Sequence, residues 1–307
     1  MTFWMSGRVF GIKGLGLSFC LRQEMWYQLL KPLLFRLDPE FSHDITLNTL
    51  KILQKLKALD PIAPIDASQS ISCFGLTFPN PVGLAAGLDK NGECIAAWQS
   101  MGFGFIEVGT VTPESQQGNC KPRLFRSPAD DAIINRMGFN NKGVDYLLQR
   151  VAQTSRTGPL GINIGKNLNT PIEKALEDYL IGFQKVYPYA DYITINLSSP
   201  NTPNLRLLQH GEMFSTILTR LKAEQHRLSQ DTSRKVPILV KISPDLEKFE
   251  VSKMVDQLVK LQIEGIIATN TTVHRAENLR QPFGQEAGGL SGQPLFERST
   301  DVVRWIA

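Results

Sequence analysis

The chain has 307 residues, 42% of them hydrophobic, and 33 Lys and Arg side chains against 29 Asp and Glu give a formal net charge of +4. This apolar fraction is ample for a buried core in one large α/β domain or two smaller ones, and it excludes disorder for most of the chain. The basic residues are dispersed among acidic ones, so the composition indicates no nucleic-acid partner. Four cysteines without paired spacing indicate neither a zinc site nor a disulfide framework and favour a reducing compartment.

The first 24 residues are apolar but interrupted by Arg8, Lys13 and several glycines. A membrane-spanning helix needs about twenty consecutive, mostly apolar residues, and no small-residue cleavage site typical of a secretory signal follows. We therefore interpret residues 1–24 as an extension of doubtful structure. An alternative interpretation is that translation starts at Met25.

Residues 25–60 predict two amphipathic helices. Pro32 lies inside the first and is expected to bend or restart it, while Asp38 and Pro39 supply a cap and a first-turn proline for the second. One interpretation is a helical pair packed on the main domain, which periodicity alone favours. The other is a pair lying on a membrane surface, with basic residues towards anionic lipid. These basic residues are Lys51, Lys55 and Lys57.

The main domain is predicted from short apolar runs, which we interpret as β-strands. Residues 71–80 alternate in polarity around Gly75 and predict a hairpin. Six apolar runs then recur at residues 82–86, 105–111, 160–164, 192–197, 238–242 and 263–268. Because most intervals between them can hold a helix, we expect parallel strands joined by right-handed crossovers.

Polar residues collect at the carboxyl end of every one of these runs. A doubly wound sheet binds its ligand at one switch point, whereas a (β/α)₈ barrel uses all its strand ends. No glycine-rich dinucleotide or phosphate-loop fingerprint follows the first run. The sequence therefore predicts an α/β fold, a (β/α)₈ TIM barrel over residues 61–307 with about six of its eight units present in this chain, preceded by the helical extension.

The strand ends carry asparagines, threonines and two lysines, Lys90 and Lys241, with few acids. No histidine stands at a strand end and no carboxylates are paired, which argues against a triad, a metal site or glycosidase chemistry. The remaining pocket suits a planar, amide-bearing anion or an isoalloxazine ring. Residues 196–206 combine two prolines with short polar side chains, a composition typical of a stiff loop facing the mouth or of a plain turn-rich connector.

Several motifs stand in order along the chain: LAAGLDKNGE at 84–93, EVGTVTP at 107–113, KPRLFR at 121–126, NRMGFNN at 135–141, GINIGK at 161–166, NLSSPNTP at 196–203 and ATNTT at 268–272. Together they resemble the dihydroorotate dehydrogenases, the FMN enzymes of pyrimidine synthesis, from about Met25 to the last residue. A serine in place of a cysteine at position 199, and the helical extension, are similar to the membrane-associated class that uses quinone. The resemblance thus favours the membrane interpretation of residues 25–60, as quinone-access helices.

The resemblance also implies roles for single residues. Ser199 would take the proton from C5 of dihydroorotate while hydride passes from C6 to the flavin, and a hydroxyl needs a water or relay to act as a base. The implied substrate contacts are Lys90, Asn135, Arg136, Met137, Gly138, Phe139, Asn196, Asn201, Asn270 and Thr271. The implied FMN contacts are Ala86, Gly87, Leu88, Asp89, Lys90, Thr110, Asn163, Asn196, Lys241, Thr269 and Gly292. Among these, Lys241 would stabilise negative charge on the reduced ring, and Gly292 would admit the phosphate.

The chain departs from the family pattern at Asn204, where glycine is usual, but asparagine tolerates a left-handed backbone. The last two βα units of the family are also not recognised in it. The expected protein oxidises dihydroorotate to orotate through FMN and reduces a membrane quinone, as a monomer or homodimer attached peripherally to the cytoplasmic face of the inner membrane. One rival is a soluble member that uses fumarate or NAD, which conflicts with Ser199 and the helical extension. Another is an inactive fragment that only binds a membrane or a partner.

Overall fold

The computed structural model describes residues 31–56, 58–59, 69–276 and 279–307. The interpretations made for residues 1–24, for 25–30 and for Lys57 lie outside these ranges. Residues 31–36 are helical, and the helices whose bounds follow are α1 (Pro39–Lys55), α2 (Ile95–Ser100), α3 (Val144–Ala152), α4 (Ala175–Val186), α5 (Gly211–Thr232), α6 (Lys248–Lys260) and α7 (Phe296–Ile306).

Helix α1 begins where the sequence predicts. The Asp38 carboxylate accepts a hydrogen bond from the backbone N–H of Phe41 at 2.9 Å, and Pro39 occupies the first helical turn. This arrangement satisfies an N–H that has no partner inside the helix, and proline loses nothing there because its missing donor is not needed. The predicted cap at Asp38 is therefore confirmed.

The central sheet of the described residues contains six parallel strands: β3 (Gly83–Leu84), β4 (Phe105–Val111), β7 (Leu160–Ile164), β8 (Tyr192–Asn196), β9 (Ile238–Ile242) and β10 (Gly265–Ala268). They are neighbours in this order, and β7, β8 and β9 are buried along their whole length. Each strand lies within a predicted run, although the first, fourth and last are shorter than predicted. The α/β fold of TIM-barrel type is confirmed as a curled, parallel half-barrel with helices on its outer side.

A second sheet, of three antiparallel strands, was not predicted. It consists of β5 (Leu124–Ser127), β6 (Ala132–Asn135) and β11 (Gly289–Gly292), in the order β11-β6-β5. Leu290 pairs with Ile134, and both side chains are buried. The sequence interpretation missed this sheet because its strands have four residues each and β11 joins β6 from more than a hundred residues away. Gly292, for which the resemblance implies contact with the FMN phosphate, lies in this sheet.

The amino ends of the parallel strands are filled by aromatic side chains. The predicted hairpin is confirmed as β1 (Ile71–Cys73) and β2 (Leu76–Phe78), and Phe78 forms a cluster with Tyr192 and Leu239. A Cβ atom at Gly161 would lie 2.1 Å from the Tyr192 ring, so only glycine leaves room for this ring. The amino end is thus closed, and the carboxyl end carries the polar groups.

Helix α1 packs on the barrel through charged contacts. Lys51 forms an ion pair with Glu93 at 2.8 Å, so it contacts protein, whereas Lys55 is exposed. Away from its contacts with the barrel, the helix exposes the apolar side chains of Phe41, Ile45 and Ile52. Within the described ranges, no helix has the length and apolar content needed to cross a bilayer.

Candidate active site

A cavity of about 910 Å³ lies between helix α1, the antiparallel sheet and the carboxyl ends of the parallel strands. The residues that line it are polar in one part of the cavity and mostly apolar in the other. Its polar part is lined by Lys90, Thr110, Asn196, Ser199, Asn201, Lys241, Asn270 and Thr271. Its apolar part, towards residues 31–36 and α1, is lined by Leu34, Phe35, Pro39, Leu47, Leu124 and Ile133, and Lys31, His43 and Arg126 also line the cavity on this side. The volume is in the range of small-molecule and cofactor sites.

Most residues assigned by motif line this cavity. They are Ala86, Gly87, Leu88, Lys90, Thr110, Asn135, Met137, Gly138, Phe139, Asn196, Ser199, Asn201, Lys241, Asn270, Thr271 and Gly292. The lining does not include Asp89, Arg136, Asn163 and Thr269. The structure thus brings together residues that are far apart in the sequence and leaves these four behind or beside the cavity.

Asp89 and Arg136 direct their side chains to other partners. The Asp89 carboxylate accepts the backbone N–H groups of Glu93 and Cys94 at 2.9 and 2.8 Å, and burial raises the pKa of Asp89 despite these bonds. Arg136 pairs with Glu286 at 2.7 Å and lies over the Phe125 ring. Asp89 therefore orders the turn before α2, and Arg136 holds the antiparallel sheet to the loop before β11.

Asn163 lies directly behind the cavity wall. Thr110 donates its hydroxyl to Asn163 Oδ1 at 2.6 Å, and Asn196 Nδ2 donates to Thr110 Oγ1 at 2.9 Å. The registers of the parallel strands produce this row, since Gly109 is opposite Asn163 and Asn163 is opposite Thr194. Asn163 therefore fixes the orientation of two side chains that line the cavity. Thr269 donates its hydroxyl to the carbonyl of the next residue, Asn270, at 2.9 Å.

The buried carboxylate of Glu107 lies below this row and was not assigned from the sequence. Its two oxygens accept hydrogen bonds from Asn163 Nδ2 at 2.8 Å and from Thr194 Oγ1 at 2.9 Å. Burial lowers the pKa of Lys241, and the charge of Glu107 opposes that shift. The signal available in the sequence was an acidic residue inside an otherwise apolar strand, since buried charges are normally paired.

The loop after β8 places Ser199 at the cavity. The backbone N–H of Asn201 donates to Ser199 Oγ at 3.2 Å, and Asn201 Nδ2 donates to Asn135 Oδ1 at 3.1 Å. Among the described residues, Ser199 has no hydrogen bond to a histidine or carboxylate, and the expectation that a water or relay assists it stays a prediction. Asn204 has φ 59°, so the left-handed backbone expected at this position is confirmed.

Arg206 holds this loop to the one after β10, a role not predicted from the sequence. Its Nη1 pairs with Asp245 at 2.7 Å, Nε donates to the carbonyl of Ser198 at 3.2 Å, and Nη2 donates to the carbonyl of Thr271 at 3.0 Å. A guanidinium suits this task because its planar donors address several acceptors at once. Arg206 therefore fixes Ser199 and Thr271 relative to one another.

Two titratable side chains reach the cavity from different elements, Lys90 from the loop after β3 and His43 from α1. Burial lowers the pKa of Lys90 to about 8, and the charge of Arg123 lowers it further. His43, on α1, also lines the cavity, and burial together with the charge of Lys90 lowers its pKa to about 4. At neutral pH the imidazole is therefore uncharged. His43 was not assigned from the sequence, where it stood in a helix without a chemical partner nearby.

Comparisons with known proteins agree with this architecture. The dihydroorotate dehydrogenase family model matches residues 68–307. The chain is 56% identical over 280 residues to the dihydroorotate dehydrogenase (quinone) of Idiomarina loihiensis, covering 91% of this chain and 84% of that protein. The corresponding protein of Nitrosomonas europaea is 54% identical over 283 residues, covering 92% and 82% respectively.

Solved structures give the same family. The crystal structure of DHODH from Eimeria tenella in complex with ferulenol superposes with a TM-score of 0.80 at 40% identity, covering 88% of this chain and 76% of that one. The ligand-free type from the same organism superposes with a TM-score of 0.78. The chain therefore belongs to the dihydroorotate dehydrogenase family of oxidoreductases.

Proposed function

We propose that this protein oxidises dihydroorotate to orotate in pyrimidine synthesis, with FMN as the hydride acceptor and a membrane quinone as the final electron acceptor. The observation that carries the proposal is the single cavity that joins a polar wall at the strand ends to an apolar part at α1. The relatives of the chain from Idiomarina loihiensis and Nitrosomonas europaea are named dihydroorotate dehydrogenase (quinone). A two-part cavity suits an enzyme that handles one polar and one apolar reactant around a shared cofactor.

The cavity residues fit a flavin. Gly87 has φ 113°, and a Cβ atom there would meet no atom within 4 Å, so the backbone faces open space that a ring can approach closely. Thr110 and Asn196 offer short polar groups, and Lys241 a buried cation. When bound, FMN supplies a hydride acceptor whose electrons can pass on to a quinone. Lys241, supported by Glu107, would lie where negative charge on the reduced ring needs a cation.

The substrate contacts are proposed for the amides beside Ser199. Asn135, Asn201 and Asn270 provide donors and acceptors that match the ring amides of dihydroorotate, and Lys90 provides a cation for its carboxylate. Thr271 Oγ1 is buried without a hydrogen-bond partner among the described residues, so a ligand oxygen or N–H can satisfy it. Ser199 would receive the proton from C5 and pass its own hydroxyl proton to a water or relay, while Arg206 keeps its loop in place.

The apolar part of the cavity is proposed to bind the quinone. Introducing the T46W substitution on α1, where Thr46 lines the cavity, should fill this part and raise the KM for a short-chain quinone about tenfold or more, while reduction of bound flavin by dihydroorotate stays unchanged. The N48W substitution, on the exposed side of the same helix, is the matched control. Equal KM values for the two variants would place the quinone elsewhere.

Acceptor preference is a further test, since faster turnover with fumarate or NAD than with quinone would favour the soluble class.

Peripheral attachment to the cytoplasmic face of the inner membrane is proposed for residues 25–60. Phe41, Ile45 and Ile52 expose apolar side chains on α1, the helix that borders the apolar part of the cavity, and these side chains can enter the headgroup region. A double variant carrying F41D and I52D should sediment less with anionic vesicles than the wild type. Undiminished sedimentation would contradict this anchor.

Substrate binding should depend on pH through Lys90. The ammonium form binds the carboxylate, and with a pKa of about 8 in the ligand-free protein it loses its proton as the pH rises above that value. The Kd for orotate should therefore rise with pH above about 8, by up to about tenfold per unit, and stay nearly flat below it. Calorimetric titrations across this range measure the effect, and the K90M variant should bind weakly with no inflection near pH 8. An inflection retained in that variant would assign the titration to another group.

A further inference from the structure

The KPRLFR motif contains an arginine, Arg123, to which the proposed chemistry assigns no role. Its side chain is buried and does not line the cavity. Nη2 and Nε donate to the carboxylate of Glu40, the former at 2.8 Å and the latter at 3.2 Å to each oxygen. Glu40 is in the first turn of α1, so Arg123 joins the helix at the apolar part of the cavity to the segment before β5.

The other side of the same guanidinium orders a tight loop. Arg123 Nη1 donates to the carbonyls of Gln117 and Asn119 at 2.6 and 2.9 Å. A Cβ atom at Gly118 would lie 2.2 Å from the carbonyl oxygen of Met137 and 3.0 Å from Arg123 Nη1. Residues 117–119 are therefore closely packed between Arg123 and the segment that carries Met137.

Asn119 extends these contacts to the loop of Ser199. Its Nδ2 donates to the carbonyl of Asn201 at 3.1 Å and to that of Arg136 at 3.0 Å, and its backbone N–H donates to the carbonyl of Met137 at 3.1 Å. Asn201 in turn donates its backbone N–H to Ser199 Oγ. A continuous set of hydrogen bonds thus connects Glu40 on α1 with the hydroxyl at the polar part of the cavity.

We infer that Arg123 and Asn119 are positioning residues that couple the docking of helix α1 to the placement of the Ser199 loop. This inference rests on the proposed function, because it assigns the two ends of the network to the quinone side and the dihydroorotate side. A buried ion pair holds its members in fixed positions, because breaking it leaves an uncompensated charge. Since small displacements of a reacting group slow chemistry strongly, a change at Glu40 should reach the dihydroorotate reaction.

The test is to measure flavin reduction by dihydroorotate under anaerobic conditions, together with the Kd for orotate by calorimetry. N119A removes the donor to Asn201 and should slow flavin reduction about tenfold or more and weaken orotate binding about tenfold. E40Q keeps the shape but removes the charge, and should change both quantities in the same direction by about threefold. The E40Q variant also covers the case in which N119A does not fold.

The matched control is K51M, at the other end of α1. Lys51 pairs with Glu93 and also anchors the helix, but it makes no contact with residues 117–119. Flavin reduction and orotate binding in this variant should stay within about twofold of the wild type. Equal slowing in K51M and E40Q would overturn the coupling in favour of general loosening of α1, as would wild-type values of both quantities in N119A and E40Q. Failure of the wild-type protein itself to be reduced by dihydroorotate would instead overturn the proposed function.

Discussion

Replacing Ser199 with alanine is expected to slow the reduction of bound flavin by dihydroorotate by about 10²–10⁴-fold, the range that a positioned general base contributes. Ser199 lines the polar part of the cavity, and its Oγ accepts a hydrogen bond from the N–H of Asn201. The hydroxyl is the acceptor in that bond, so it is oriented but keeps its own proton to donate to a water or relay. A second lone pair of Oγ remains to receive the proton from C5. Stopped-flow bleaching of the flavin absorbance measures the rate directly.

The flavin content of the S199A variant serves as its internal control. Among the described residues, Ser199 makes one side-chain hydrogen bond, so its removal should leave the fold and the bound flavin intact. The S199C variant should recover part of the lost rate as the pH rises towards the thiol pKa of about 8.5. Reduction of S199A at the wild-type rate would remove Ser199 from the mechanism.

The E107L substitution is expected to destabilise the protein by about 2–5 kcal/mol, the cost of leaving two buried donors without their acceptor. The change deprives Asn163 and Thr194 of their acceptor and removes the negative charge that faces Lys241. Urea unfolding of the full chain measures the loss, and the flavin content should fall with it because Thr110 and Asn196 depend on Asn163 for their orientation.

Two variants make the Glu107 result specific. E107Q keeps the shape and one acceptor, so it should cost less than E107L. E114L removes an exposed carboxylate a few residues further along and should change the free energy of unfolding by no more than about 0.5 kcal/mol. Equal stability of E107L and E114L would show that the buried carboxylate does not support the cavity wall.

The parallel half-barrel was predictable because its strands are short, continuous apolar runs. β7, β8 and β9 are buried on both faces, which requires such runs in any parallel sheet. The antiparallel sheet was not predictable in the same way, because it depends on pairing between β6 and β11, and each of its strands is too short to give a periodic signal. The local sequence pattern therefore located the strands of the parallel sheet, which positions the site. It did not locate the strands of the antiparallel sheet, which covers the site.

The residues of the candidate site divide along a similar line. Those at strand ends, such as Thr110 and Lys241, were found because the strands point to them. Glu107 and Arg206 were missed because they act through other side chains, and their partners come from several strands and loops. His43 was missed because only the docking of α1 brings it to the cavity. Such residues depend on tertiary contacts that no local pattern contains.

The proposed function requires that one cavity oxidises dihydroorotate through a bound flavin. An anaerobic titration of the purified full chain with dihydroorotate tests it most directly, with the flavin absorbance and the orotate formed recorded together. We expect stoichiometric FMN that is bleached by dihydroorotate with formation of an equal amount of orotate, and whose absorbance returns on addition of a short-chain quinone. A chain that holds no flavin, or a flavin that dihydroorotate leaves oxidised, would contradict it.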